Sequence, residues 1–249
     1  MVLPAFLSGI VKDKVTLQPI ENATVFAFNP NTGKILVMKT GADGVYKAVV
    51  DKPAEFSVKA MKPTYISDCT PFSIKEVLPG SVTQAPRDLM LDKLELNRIF
   101  KIDNIYYDFN KFNIRADAAP ELDKLVKIME ENPINVELGS HTDCRGSDSY
   151  NERLSQNRAE SAVNYIVSKG IHSTRIVAKG YGEKQLTNKG ADGVLGSDEE
   201  QQMNRRTEFK VTEYSSEQQQ QGQFNPDLFR NGEELDIRLR PGGFFFPCK

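Results

Sequence analysis

Between residues 135 and 169 the apolar positions change period, and a polar turn separates the two regimes. Asn135-Val136-Glu137-Leu138 alternates polar and apolar, as a half-buried strand does. Residues 150–169 read as a long helix. Between them runs GSHTDCRGSD, a polar turn with Gly146 where the backbone bends sharply. The strand delivers Asp143 to the mouth of a sheet, and Arg158 projects from the helix that follows. Such an acid and base can face one another across the turn. They suit a ligand bearing both an ammonium and a carboxylate: the arginine offers a planar fork to the carboxylate, and the aspartate accepts from the ammonium. Arg158 stands four residues from both Leu154 and Ala162, on or near the apolar face, where an arginine needs a partner. That partner is a ligand, or it is Asp143 in an internal ion pair.

The 249 residues allow two domains. Residues 6–94 read as all-β, with apolar runs at 7–11, 23–28, 34–39, 45–50 and 55–60 and turn residues between them. Spacing near ten residues per strand suggests a sandwich or barrel. Asp43-Gly44 lacks the ligand series of a calcium loop and reads as a hairpin turn. Residues 85–101 join the domains, with a boundary near Leu96. Residues 102–109 then read as a strand. Pro120 and Asp117 sit in the first turn of a helix, whose stripe is Leu122, Leu125, Val126 and Met129. Asn132-Pro133 ends that helix. Ser149 and Glu152 form a capping box for the second helix, whose stripe includes Leu154, Ala162, Val163 and Ile166, and Gly170 closes it. Strands follow at 175–179 and 207–211, with a long loop at 183–203 between them. Arg205 and Arg206 are assigned to supporting the sheet edge and the Asp143 loop rather than to touching ligand. From Ser215 a Gln-rich linker leads to a tail, in which Leu235, Ile237 and Leu239 suit a short strand or docking peptide.

Net charge is −2 with no run of like charge, which argues against nucleic-acid binding. No stretch approaches the twenty apolar residues of a spanning helix. Three cysteines without regular spacing, Cys69, Cys144 and Cys248, indicate neither a disulfide framework nor a zinc site. Cys144 reads as a small side chain where serine would serve, not as a reactive thiol. With two histidines, no metal or cofactor is expected. His141, Asp143 and Ser155 are the one candidate hydrolytic set. Ser155 lies inside a helix instead of on a nucleophile elbow, so no catalytic residue is assigned.

HTD, GSD and NxxLSxxRA resemble the signature of OmpA-like peptidoglycan-binding domains. YYDFNKFNIR (106–115) is similar to that domain's opening segment and NRRTEF (204–209) to its closing one. The resemblance implies an α+β chain: a first domain at 1–96, an OmpA-like βαβαβ domain at 97–214 with a mixed sheet and two main helices on one face, and a linker and tail at 215–249. It implies that Asp143 and Arg158 grip the diaminopimelate of a peptidoglycan stem peptide, with Asn110, Thr142 and Asn151 as neighbouring contacts. It also implies cysteines at 190 and 196, where this chain has glycines. SGIV (8–11), IENATV (20–25) and TGADGVY (40–46) resemble carboxypeptidase-regulatory-like domains, which are transthyretin-like sandwiches without catalytic residues. The pair resembles the C-terminal part of multidomain OmpA-family proteins of Bacteroidota. Some of those tether outer-membrane assemblies, including type IX secretion and gliding machinery, to the wall. The implied location is the periplasm, beside the outer membrane and cell wall. The alternatives are a periplasmic hydrolase and a protein-interaction module of such a complex. The start MVLPAFLSGI lacks the features of a secretory signal, so the chain is expected to be the C-terminal part of a longer protein or a mature form.

Overall fold

The structure is a computed structural model, and it describes residues 4–102, 105, 114, 118–187, 196–214, 225 and 228–236. The chain divides into two compact units, Met1–Leu94 with Gly222–Lys249, and Glu95–Gln221.

The first unit is built from β1 (Ala5–Asp13), β2 (Thr24–Asn29), β3 (Lys34–Lys39), β4 (Val45–Val50), β5 (Ala54–Met61), β6 (Tyr65–Ile66), β7 (Asp68–Ile74), β8 (Val82–Gln84), β9 (Leu89–Lys93) and, from the far end of the sequence, β14 (Glu234–Asp236). One sheet runs β4-β1-β9-β6 with β8 also on β1; the other runs β14-β3-β2-β5-β7. Alternate residues of both sheets, among them Leu7, Val11, Val25, Val58, Leu89 and Leu91, meet in one core. This is the period-two burial that alternating strands produce. Tyr46 crosses that core so closely that a Cβ on Gly9 would lie 2.2 Å from its hydroxyl, and burial pushes its phenol pKa up. The tail does more than trail from a linker: β14 pairs antiparallel with β3, Leu235 opposite Ile35.

The second unit contains β10 (Ile99–Ile102), α1 (Ala119–Glu131), β11 (Ile134–His141), α2 (Asp148–Ser168), β12 (Ile176–Gly182), α3 (Asp198–Asn204) and β13 (Thr207–Tyr214). The sheet order is β10-β13-β11-β12, with β11 and β12 parallel and the other pairs antiparallel, so the sheet is mixed. Helix α2 lies on β11 and β12, and α1 packs on α2. The α1 stripe Leu122, Leu125, Val126 and Met129 is buried, as its spacing predicts. Arg175 donates to the carbonyls of Met129, Asn132 and Ile134, tying the end of α1 to the start of β11. The first strand begins at Ile99, three residues before the expected start, and 106–113 lie outside the described residues.

Three expectations change. The buried face of α2 is Asn151, Ser155, Arg158, Ala159, Ala162 and Ile166, rotated from the expected stripe; Leu154 and Val163 are only half-buried. A Cβ on Gly180 would lie 2.3 Å from the Gln156 nitrogen, so the helix backbone sits almost on the strand and only small or well-bonded side chains fit between. The N-cap of α2 is Ser147, two residues before the expected box, and it accepts from the Tyr150 nitrogen. Within the expected long loop lies α3, opened by a complete capping box of Ser197 and Glu200. No helix among the described residues is long and apolar enough to cross a membrane.

Candidate functional site

Strand β11 ends in the site. Ser140 Oγ lies 3.2 Å from Thr207 Oγ1, and the Thr142 nitrogen donates to the Gly182 carbonyl at 2.9 Å, so both neighbouring strands hold this end. Asp143 follows, 8% exposed. Its Oδ1 accepts from the Arg145 nitrogen at 3.2 Å, and its Oδ2 accepts from Arg205. Arg205 therefore supports the Asp143 loop, as assigned from sequence. Asn151, on the first turns of α2, donates Nδ2 to the Asp143 and Arg145 carbonyls and to Glu183 Oε2 at 2.6 Å. It fixes the turn from within.

Two turns further along the same buried face of α2 comes Arg158, also 8% exposed. It lines a small open recess, with a cavity volume of about 50 Å³, together with Ile105, Ser140, His141, Gln202, Arg205, Arg206 and Thr207. Three guanidinium groups thus border one recess at the end of β11. Arg206 is held by Glu208, with Nε 3.1 Å from Oε2. Glu208 also faces His141, whose Nε2 lies 3.1 Å from Oε1, although neither ring nitrogen makes a well-aligned hydrogen bond among the described residues. Burial pushes the Glu208 carboxyl up, but His141 and Arg206 outweigh it and hold it below its ordinary value. His141 stacks on Tyr181, centroids 5.0 Å apart.

Of the candidate residues, Asn151 bonds directly to the Asp143 carbonyl, Thr142 precedes Asp143 in the chain and is held by Gly182, and Arg158 lies along the helix from Asn151. Asn110 lies outside the described residues. The hydrolytic set does not assemble: the Ser155 hydroxyl donates to the Glu152 carbonyl and accepts from the Gly182 nitrogen, and His141 faces Glu208. Cys144 is a free thiol set against Gln201, its nitrogen and sulfur both near Oε1. Sequence reasoning missed Gln201 and Gln202. Ser197-x-x-Glu200 was the signal for the helix that carries them. Among the described residues no cluster of His, Cys, Asp or Glu could hold a metal ion.

Residues 106–198 match the model of the OmpA family over a span that contains every candidate site residue. They form an OmpA family domain. The domain is 41% identical over 115 residues to "Outer membrane protein A" of Shimwellia blattae, covering 44% of this chain and 47% of that protein. It is 37% identical over 107 residues to "Outer membrane protein A" of Serratia marcescens, covering 42% of this chain and 28% of that protein. A third relative is "Photosystem I P700 chlorophyll a apoprotein A2" of Gloeobacter violaceus, 39% identical over 114 residues, covering 44% of this chain and 13% of that protein. The chain therefore spans less than half the length of these curated relatives.

Proposed function

We propose that the chain is a non-catalytic anchor, and that its OmpA family domain binds peptidoglycan stem peptide in the periplasm and so fastens the outer membrane, or an assembly attached to it, to the cell wall. In this reading the side-chain end of diaminopimelate, a carboxylate and an ammonium on one carbon, enters the recess at the end of β11. Arg158 takes the carboxylate, and Asp143 takes the ammonium. Thr142, Asn151 and Asn110 are the neighbouring contacts. The first domain is a transthyretin-like spacer or interaction module.

The observation that carries the reading is Arg158. It is a guanidinium 8% exposed, on the sheet-facing side of α2, opening on a recess bordered by Arg205 and Arg206. A cationic recess with a hydroxyl pair, Ser140 and Thr207, at its wall suits a carboxylate. Asp143 already pairs with Arg205, but a carboxylate has about four acceptor sites, so an ammonium can share it. Thr142 Oγ1 is buried without a hydrogen-bond partner among the described residues, which leaves it available to the same ligand.

Calorimetry with a diaminopimelate stem peptide tests this. Hydrogen bonds to charged groups contribute roughly 1.5–3 kcal/mol each, so Arg158→Ala is expected to weaken binding at least about tenfold. Arg158→Lys recovers little, because a point charge cannot reproduce the fork. Asp143→Asn costs a similar amount. A stem peptide with lysine in place of diaminopimelate keeps the amine and loses the carboxylate. If it binds as tightly as the diaminopimelate peptide, Arg158 is not a carboxylate receptor and the reading fails.

A further inference from the structure

Asn231-Gly232 is the one Asn-Gly pair in the sequence. It forms the tip of a turn. The Glu233 nitrogen donates to the Arg230 carbonyl at 3.2 Å, and Gly232 has φ +81°, the left-handed value that the third position of a type II turn gives to glycine. Both residues are exposed. An Asn-Gly pair is open to spontaneous deamidation, because glycine puts no side chain in the way of its own nitrogen. That nitrogen attacks the asparagine Cγ, a five-membered imide closes, and the Cγ–Nδ2 bond breaks to release ammonia. Water then opens the imide at either carbonyl. The amide and one water have become ammonium and a carboxylate, borne by aspartate or by isoaspartate, whose backbone runs through Cβ and Cγ.

Here both reacting groups are engaged. The Gly232 nitrogen donates to the Val37 carbonyl at 2.8 Å, so β3 holds the nucleophile by its N–H. Asn231 Oδ1 accepts from the Lys39 nitrogen at 3.0 Å, which holds the side-chain amide. Neither group can turn to the other without giving up its bond to β3. The neighbouring residues keep them there. The Val37 nitrogen donates to the Glu233 carbonyl, Glu234 pairs with Lys34, Phe229 packs edge-on against Phe26 with centroids 5.0 Å apart, and Leu235 joins the same apolar cluster. Yet β14 is a three-residue edge strand with none of its residues fully buried, and such a strand opens more readily than the centre of its sheet.

We propose that Asn231 is a deamidation site gated by docking of the tail. It is closed while the turn and β14 lie on β3, and it reacts when they lift. The product acts back on the gate. Isoaspartate adds a methylene to the backbone between the residue that meets Lys39 and the one that meets Val37, and it adds a negative charge. The two bonds then no longer fit one register. Lifting is reversible, and isoaspartate formation makes it lasting.

The test compares the full chain with a synthetic peptide of residues 228–236, which has no β3 to dock on. Both are incubated in neutral buffer, and peptide mapping by mass spectrometry follows Asn231. Deamidation is expected to be at least about tenfold slower in the chain, tenfold corresponding to about 1.4 kcal/mol of docking. Hydrogen exchange of the Gly232 amide should be slowed by a similar factor, since one opening exposes it to both reactions. Phe229→Ala loosens the docking without touching the reacting groups, and both rates should rise. In chains converted to isoaspartate, the Val37 amide should lose its protection from exchange. Equal deamidation rates in chain and peptide, or an unchanged rate in Phe229→Ala, overturn the gate. A Val37 amide that stays protected after conversion overturns the lasting release.

Discussion

Between the sandwich sheets lie Leu7, Val25, Val58, Leu89 and Leu91; between α2 and its sheet lie Asn151, Ser155, Arg158 and Thr207, with Gln201 and Asn204 buried nearby. The first interior is stabilised by apolar area, which needs no direction. The second adds directional polar contacts, since a buried polar group without a partner is costly. Among those contacts are Ser155 with Glu152 and Gly182, Asn151 with the Asp143 turn, and Arg175 with three carbonyls. The second domain gives up apolar burial along α2 and gains a recess whose walls are pre-positioned donors. Where α2 sits this close to its sheet, small and polar residues stand where leucine would not fit.

The largest expected effect breaks the apolar side of this comparison. Leu91 is fully buried, and Leu91→Ala should destabilise the sandwich by about 2–5 kcal/mol through lost transfer energy and a cavity. Native-state hydrogen exchange separates the two domains. Protection of the sandwich amides should fall while that of α2 stays as it was. Equal loss in both would show that the interiors are not independent.

The polar side should yield a smaller but more directional loss. Ser155→Ala removes the acceptor of the Gly182 nitrogen and leaves that donor buried, at a cost of about 1–3 kcal/mol. Because Gly182 in turn accepts from the Thr142 nitrogen, the damage should spread to the end of β11. The expected readout is faster amide exchange at Thr142 and Gly182 with the sandwich unaffected. A variant as stable as the parent, with both amides still protected, would show that the hydroxyl is not part of the site's support.

The same contrast explains what could be read from residues alone. The strands of the first domain and the stripe of α1 follow apolar periodicity, and both are where the spacing put them. The α2 face is mis-phased because its buried positions are small or polar, so Leu154 and Val163 draw the stripe away from Ser155 and Arg158. Asp143 and Arg158 stand out in the sequence by charge and motif, and Arg205 is assigned there to the Asp143 loop; that its guanidinium meets the Asp143 carboxylate itself, across 62 positions, is not readable from spacing. Helix α3 has no apolar period and announces itself only by its capping box. The pairing of β14 with β3 joins residues 200 apart, and nothing local in the sequence encodes such a register. Cys69 is the same case: it is disulfide-bonded, and odd cysteine spacing gives no hint of that.

The smallest expected effect tests whether the polar side includes a charge latch beside the recess. Glu208 faces His141 and Arg206, and its carboxyl is held below its ordinary value of 4.5 despite burial. A carboxyl depressed in the fold contributes stability that is fully present above its unfolded pKa and is lost as pH falls through the folded value. The contribution should therefore be constant from neutral pH down to about 5 and should fade below about 4.5. Burial opposes the two partners, so the net effect should be smaller than the loss of the Ser155 acceptor. Glu208→Gln keeps the shape and removes the charge. Other depressed carboxyls, Glu137 and Asp68 among them, titrate in both proteins and cancel in the difference. Melting temperatures of the parent and Glu208→Gln should differ by a constant amount above pH 5 and converge below it. A gap that stays the same down to pH 3 would mean that the carboxylate contributes through shape and neutral hydrogen bonds, and that Arg206 is positioned beside the recess without help from its charge.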